Sequence, residues 1–250
     1  MSEEHGTGRL RLYNAGMGLL HAVQGVAVLL LSNDFGLPIT AAFMEGPPGT
    51  PASTEQLFTL PLGPAVAAFL FLSAVAHFVV AGPGWGKYRR DLAAHRNEQR
   101  WIEYALSSSV MIVLIAMITG IADIAALVAL SGVNASMILF GWLQERYEEP
   151  GSGRWWPFVF GCVAGIVPWV AIGIYLWSPG SSAEPPAFVY AIFVSLFVFF
   201  NSFAINQFLQ YRQLGPWRTY LTGEAVYVGL SLVAKSALAW QVFANTLVPS

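Results

Sequence analysis

The chain alternates between long apolar runs and short polar connections. Seven runs have about 20 residues, the length of helix that crosses a hydrocarbon core roughly 30 Å thick. They lie near 10–32, 62–82, 95–120, 123–144, 156–178, 187–210 and 222–247. The pattern predicts an all-α membrane protein, a seven-transmembrane-helix bundle that forms one domain over residues 1–250.

The longest connection, 33–61, follows the first run. It carries Gly46-Pro-Pro-Gly49, a strong turn signal, together with several apolar residues. This mixture favours a small folded cap between helices 1 and 2 over a disordered loop, and the segment is long enough to hold a short hairpin.

Eleven of the twelve Lys and Arg residues lie between the runs, all on one side of the predicted bundle. The other side has the acidic 33–61 connection, the turn at Asp123 and the 178–186 connection, none of which contains Lys or Arg. Basic residues accumulate in cytoplasmic loops. We therefore expect a plasma-membrane protein with a cytoplasmic N-terminus, an extracellular C-terminus and an extracellular cap.

Composition agrees with a membrane protein. Hydrophobic residues make up 56% of the chain and charged residues only 10%, against roughly 25% charged in soluble domains. The net charge of −2 gives no basic footprint for nucleic acid. Cys162 is the single cysteine, which excludes an internal disulfide and a Cys-rich metal site.

The twelfth basic residue, Lys235, lies inside the last run, where a lysine costs roughly 2.5–3.5 kcal/mol on insertion scales. Its predicted partner is Glu103, which has apolar sequence on both sides and shares a helix face with Ser107. At about 4 Å and an effective dielectric near 20, such a pair gains on the order of 4 kcal/mol. The pair could be a structural ion pair that fixes helix register. Alternatively, Lys235 carries an aldehyde as a protonated Schiff base and Glu103 is its counter-ion.

Two histidines, His21 and His77, are predicted at middle depth in the first two helices. Gln24 follows His21 by three residues and Ser73 precedes His77 by four, so each histidine has a candidate hydrogen-bond partner on its own face. Two interhelical hydrogen bonds would explain the pattern. The functional alternative is a hydrated pocket that takes or relays a proton. A metal site is disfavoured because no third ligand of matching depth is evident.

Aromatic and soft side chains in the runs could line an elongated apolar cavity, although internal aromatics equally serve packing. The candidates are Tyr104, Met137, Trp169, Phe200, Phe203 and Trp240, with Asn134, Gly141 and Asn201 among them.

These features together resemble the heliorhodopsins, a family of retinal-binding seven-helix rhodopsins. The similarity extends from about Asn14 to Val248. Its carriers are Ser32-Asn-Asp-Phe35, Glu45-Gly-Pro-Pro-Gly-Thr50, Glu103-Tyr-Ala-Leu-Ser-Ser-Ser109, 132–145, Gly165-Ile-Val-Pro-Trp169, Phe199-Phe-Asn-Ser-Phe203 and 231–240.

The resemblance implies a rhodopsin-like fold, all-trans retinal on Lys235 and Glu103 as the sole carboxylate counter-ion. It also implies a membrane homodimer and an N-terminus in the cytoplasm, the orientation that the charge pattern predicts independently. Further implied site residues are Ser73, Ser108 and Ser231 near the Schiff base, and His21 and His77 with water in a cytoplasmic-side pocket.

The resemblance also bears on function. Related proton pumps carry acidic groups on both sides of the Schiff base, one of them in the seventh helix, whereas the last run has none near Lys235. Glu224 lies eleven residues earlier, roughly 16 Å along a helix, and is expected to be a solvated carboxylate at a helix start. We expect a photoreceptor, not an enzyme, that moves a proton without net ion pumping and signals to an unidentified cytoplasmic partner. A light-driven proton or ion transporter and a light-independent seven-helix protein remain as alternatives.

Overall fold

The computed structural model describes residues 2–177 and 184–249. Within these ranges it contains eight α-helices and one two-stranded sheet. In chain order they are α1 (Ser2–Leu31), β1 (Gly36–Met44), β2 (Ala52–Pro61), α2 (Leu62–Ala81), α3 (Trp85–Ala93), α4 (Glu98–Ile118), α5 (Ile124–Tyr147), α6 (Trp156–Leu176), α7 (Ala187–Tyr211) and α8 (Tyr220–Val242).

Seven of these helices are long and apolar enough to cross a membrane, so the predicted seven-helix bundle is confirmed. The exception is α3, which the hydropathy pattern did not predict. It is short and polar, with Lys87 paired to Asp91 one turn later, and this hydrogen bond raises the pKa of Lys87. Its buried face presents Tyr88 and Leu92 to the end of the bundle, where they pack with Leu10 of α1.

The connection between α1 and α2 folds into a cap, as predicted, and its two strands form an antiparallel hairpin with Gly36 opposite Pro61. The register shifts between Ile39 and Thr40, where Leu57 of the second strand has no opposite residue. The Thr40 amide donates to the Ala122 carbonyl in the turn between α4 and α5. The hairpin is thus fastened across the end of the bundle.

The long helices form a ring. Helix α1 packs between α2 and α8, α2 packs on α4, and α4 to α6 follow one another, while α7 packs on α8. One apolar core, with Phe69, Ile112, Ile172, Leu196 and Leu238 among its fully buried members, connects these helices. Most of the predicted 178–186 connection lies outside the described residues.

Candidate functional site

Lys235 and Glu103 meet in the middle of the bundle. The lysine is 3% exposed, and its Nζ lies 2.9 Å from Glu103 Oε1 and 2.8 Å from Ser231 Oγ. Ser231 precedes Lys235 by one helical turn, so both side chains project from one face of α8. The charged pair therefore joins α8 to α4 in an environment that excludes solvent.

A third helix also holds the pair. The Ser73 hydroxyl, fully buried on α2, donates to Glu103 Oε1 at 2.6 Å. The ammonium of Lys235 lies 5.2 Å from the centre of the Tyr104 ring, within the range of a cation–π contact. The Tyr104 hydroxyl in turn donates to the Tyr227 carbonyl at 2.9 Å, which fixes the ring against α8.

An elongated cavity begins at the lysine. It encloses about 680 Å³ free of protein atoms, its opening included. Its walls are mostly apolar. Predicted site residues that line it are Lys235, Tyr104, Ser107, Ser108, Met137, Gly141, Phe200, Phe203 and Ser231; Trp101, Met111, Ile138, Ala204, Gln207, Tyr227 and Ala234 complete the lining.

A second cavity continues the first between α5, α6 and α7. Met137, Gly141 and Phe200 line both, so the two spaces adjoin. Trp169 lies in the wall of the second cavity, edge-on to Phe200 with ring centres 5.4 Å apart. Asn201 also lines this part. Together the cavities form a long apolar slot with one amine at its end.

Three predicted residues lie beside the slot and not in its wall. Asn134 donates to the Ser108 and Ser109 hydroxyls at 2.8 and 3.1 Å, and so ties α5 to α4. Trp240 and Gln24 bond to each other, the indole donating to the amide oxygen at 2.8 Å. That bond joins α8 to α1 away from the lysine.

The two histidines lie together, although their hydrogen bonds differ from those expected. Their rings stack with centres 5.5 Å apart and planes 11° apart. His77 Nδ1 bonds to Asn14 Oδ1 at 2.8 Å, while Ser73, its expected partner, bonds to Glu103. His21 is fully buried and has no hydrogen-bond partner among the described residues. Gln24, expected beside it, bonds to Trp240.

A polar cavity extends from His77 toward the end of the bundle that carries α3. It touches His77, Glu103, Asn97, Arg100 and Glu224. The carboxylate beside Lys235 therefore faces the slot's amine on one side and a chain of polar groups on the other.

Glu224 is not the solvated carboxylate expected from the sequence. It is fully buried, forms an ion pair with Arg100 and accepts a hydrogen bond from Asn97 Nδ2 at 2.8 Å. Packing of α3 and α4 over the first turn of α8 removes this carboxylate from water, and a counter-charge then becomes necessary.

Arg100 is the centre of this buried network. Its guanidinium also pairs with Glu145 at 2.5 Å and lies 4.0 Å from the centre of the Tyr227 ring. Glu145 accepts further hydrogen bonds from Trp101 Nε1 at 2.6 Å and from the Tyr220 hydroxyl at 2.9 Å. One cation and two carboxylates thus connect α4, α5 and α8 at the end of the slot.

One signal for this network is visible in the sequence, in the spacing of charged residues and not in hydropathy. Arg100 precedes Glu103 by three residues, so both lie on one helical face. The face that points Glu103 toward the bundle interior therefore points Arg100 inward as well.

Comparison with known proteins identifies one family model, Heliorhodopsin, which matches residues 10–247. No curated protein sequence matches the chain significantly.

Three solved structures have a similar fold. The light-driven proton pump rhodopsin CsR of Coccomyxa subellipsoidea has a TM-score of 0.64 and 15% identity, covering 96% of each chain. The transmembrane domain of the Salpingoeca rosetta rhodopsin phosphodiesterase has a TM-score of 0.65 and 10% identity, covering 96% of this chain and 87% of that one. A thermophilic rhodopsin has a TM-score of 0.57 and 15% identity, covering 98% and 93%. At these identities the likeness shows a shared fold.

Proposed function

Because the chain belongs to the heliorhodopsin family of retinal-binding rhodopsins, we propose that it is a light sensor. In this proposal all-trans retinal is attached to Lys235 as a protonated Schiff base, Glu103 is the counter-ion, and light moves a proton without net ion transport. The protein would signal through its cytoplasmic end to a partner that the chain itself does not identify.

The observation that carries the proposal is the buried amine in the wall of an apolar slot. A polyene aldehyde is long, narrow and apolar with one reactive end, and the slot offers the same shape with Lys235 where that end would lie. Condensation of the Nζ amine with the aldehyde forms the carbon–nitrogen double bond and releases water. The bound retinal would supply visible absorption and a light-driven isomerisation.

Glu103 would hold the proton on the Lys235 nitrogen. At 2.9 Å and an effective dielectric near 20, the attraction between the two charges is about 6 kcal/mol. Ser73 donates to the same carboxylate oxygen and Ser231 accepts from the nitrogen, so both keep the pair in position. Loss of the Glu103 charge would leave the cation without a neutralising group.

The arrangement of acidic groups supports sensing over pumping. Glu224 is the one acidic residue of α8, and it already neutralises Arg100 at the far end of the polar cavity. The groups close to Glu103 are Ser73, Ser107 and the stacked histidines. We propose that the released proton stays among Glu103, His21 and His77 and then returns to the nitrogen.

The orientation belongs to the same proposal. Eleven basic residues lie at the end of the bundle that carries α3, which supports a cytoplasmic location of that end. The Arg100 network would then lie between the slot and the cytoplasmic surface, on the route of the signal. We further propose that the protein is a membrane homodimer, as its family membership suggests.

The chain offers a clean test because Lys87 and Lys235 are its two lysines. Purified protein mixed with all-trans retinal should form a visible band that hydroxylamine bleaches. Borohydride reduction followed by peptide mapping should place the retinyl group on Lys235. Lys235→Ala should form no pigment, whereas the exposed-site control Lys87→Ala should match the native spectrum. A native spectrum from Lys235→Ala would refute the attachment site.

A light-driven proton pump is the second candidate, because the polar cavity extends from Glu103 to Glu224. Vesicles containing the pigment distinguish the two functions. A sensor should give no sustained external pH change on illumination, and a pump should give one that a protonophore abolishes.

A further inference from the structure

Four arginines surround two adjoining grooves at the end of the bundle that carries α3. The first groove, here called the basic groove, lies between α1, α3 and the start of α8, and Arg89, Arg90 and Arg218 line it. The second, the α1/α8 groove, runs along the outside of the bundle and has Arg9 at its mouth. Leu221 lines both, so the two grooves meet at this side chain.

No acidic side chain that the structure describes pairs with the arginines of the basic groove. The four arginines form no ion pair with any side chain that the structure describes, whereas Lys87, Arg100, Arg146 and Arg154 all do. The described residues that line the two grooves include no Asp or Glu. The groove therefore presents concentrated positive charge to whatever enters it.

The wall of the basic groove is held in place from behind. His95 stacks on the Tyr220 ring with centres 5.4 Å apart and planes 18° apart. The Tyr220 hydroxyl donates to the buried Glu145 at 2.9 Å. One wall of the basic groove is thus attached to the Arg100 network.

The α1/α8 groove has the opposite character. Its walls include Leu10, Ala225 and Val226, and it ends near Gly229, where a Cβ would lie 2.9 Å from the Tyr13 hydroxyl. From Leu221 to Gly229 the helical rise gives a length of roughly 12 Å. This length matches about half of an acyl chain that runs along the bundle toward the membrane centre.

We propose that the two grooves together form a binding site for an anionic phospholipid. The phosphate diester would lie among Arg89, Arg90 and Arg218, and one acyl chain would lie in the α1/α8 groove. Charge complementarity selects the headgroup, since a zwitterionic lipid brings an ammonium group into an already positive site. The continuity of the two grooves at Leu221 favours a lipid over a free anion. A free anion would leave the apolar α1/α8 groove empty, whereas the acyl chain of a lipid would fill it.

Native mass spectrometry of the purified full-length protein tests the proposal. Phosphatidylglycerol and phosphatidylcholine with identical chains are titrated in detergent, and inorganic phosphate is titrated alone and as a competitor. The protein should retain phosphatidylglycerol at least tenfold more tightly than phosphatidylcholine. Inorganic phosphate should displace it only weakly. Displacement by equimolar phosphate would show a free-anion site and overturn the proposal.

Two variants separate the halves of the site. Replacing Arg89, Arg90 and Arg218 with Gln should weaken the binding of phosphatidylglycerol on the order of a hundredfold, because each basic residue contributes roughly fivefold to the affinity. The control Arg212→Gln removes an exposed arginine outside the grooves and should bind like the native protein. Ala225→Phe fills the α1/α8 groove and leaves the arginines intact. It should weaken the binding of the lipid severalfold.

Circular dichroism and a monodisperse elution profile establish that each variant is folded. Native affinity in the folded triple variant would overturn the headgroup site. Native affinity in folded Ala225→Phe would overturn the acyl-chain site. Equal retention of the two lipids by the native protein would overturn the charge selection.

Discussion

Arg100→Met should be among the most destabilising single substitutions in the chain. The side chains of Arg100, Glu145 and Glu224 are 4%, 5% and 1% exposed, so the three charges are almost completely removed from water. Methionine has a similar length and no charge. The substitution leaves two carboxylates close together, without a cation, in a buried site.

The expected loss in the free energy of unfolding depends on the burial of the ion pair and not on the distance between its atoms. Breaking a buried ion pair by removing one partner costs about 3–5 kcal/mol, because the remaining charge is uncompensated. The chain contains a matched exposed pair, Arg146 with Glu98, at the same 2.5 Å separation but with side chains 42% and 24% exposed. Arg146→Met should cost about 0–1 kcal/mol, the range for surface pairs.

The free energy of unfolding of both variants can be measured by circular dichroism in mixed micelles as the fraction of denaturing detergent rises. A rescue variant adds Glu145→Gln and Glu224→Gln to Arg100→Met, which removes all three charges together. It should recover much of the loss, since buried ionic sets can often be replaced by neutral groups at little cost. If Arg100→Met costs no more than Arg146→Met, the network does not hold the helices together and the argument from burial fails.

Three further substitutions test separate parts of the structure. Glu103→Gln should shift the visible band of the pigment to the red, because the negative charge beside the nitrogen is gone; an unchanged absorption spectrum would mean that another group is the counter-ion. Gly141→Ala should destabilise the protein by about 1–3 kcal/mol, since the new Cβ would lie 2.6 Å from the Trp101 ring. In the control Gly132→Ala, on the same helix, the new Cβ has nothing within 4 Å. Thermal unfolding should show this control to be as stable as the native protein or more stable. Asp123→Ala should cost about 1 kcal/mol by loss of the N-cap of α5, where Asp123 Oδ1 accepts from the Ala126 amide at 3.1 Å; Asp123→Ser should retain most of the stability, and equal losses in the two variants would argue against a capping role.

The long helices could be predicted from sequence because membrane insertion depends on local composition. A run of about 20 apolar residues satisfies its own backbone hydrogen bonds as a helix wherever its neighbours lie. Helix α3 escaped prediction for the same reason, since this nine-residue helix is stabilised by packing of Tyr88 and Leu92 and not by local hydropathy. The cap could be predicted from Gly46-Pro-Pro-Gly49, but its attachment at Ala122 depends on tertiary contact.

In the site, too, features set by local sequence could be predicted and features set by tertiary packing could not. Lys235 stands out because a charge within an apolar run is visible in the sequence. Glu224 could not be recognised as buried, because its burial comes from α3 and α4, which are distant in sequence. Gln24 and Ser73 lie on the faces expected from helical spacing, yet they bond to Trp240 and Glu103. Helical spacing gives the direction of a side chain, and the neighbouring helix decides its partner.

The fastening of the cap to the segment that follows α8 constrains the order of assembly during biosynthesis. The Asn33 amide donates to the Leu247 carbonyl at 2.9 Å, and its side chain donates to the Thr246 carbonyl at 3.1 Å, 213 positions further along the chain. At roughly 5–20 residues per second, the ribosome needs about 10–40 s to synthesise the intervening segment. Throughout that interval the first loop waits without its final partners. The junction between Asn33 and the carbonyls of Thr246 and Leu247 can therefore close only after α8 has been synthesised.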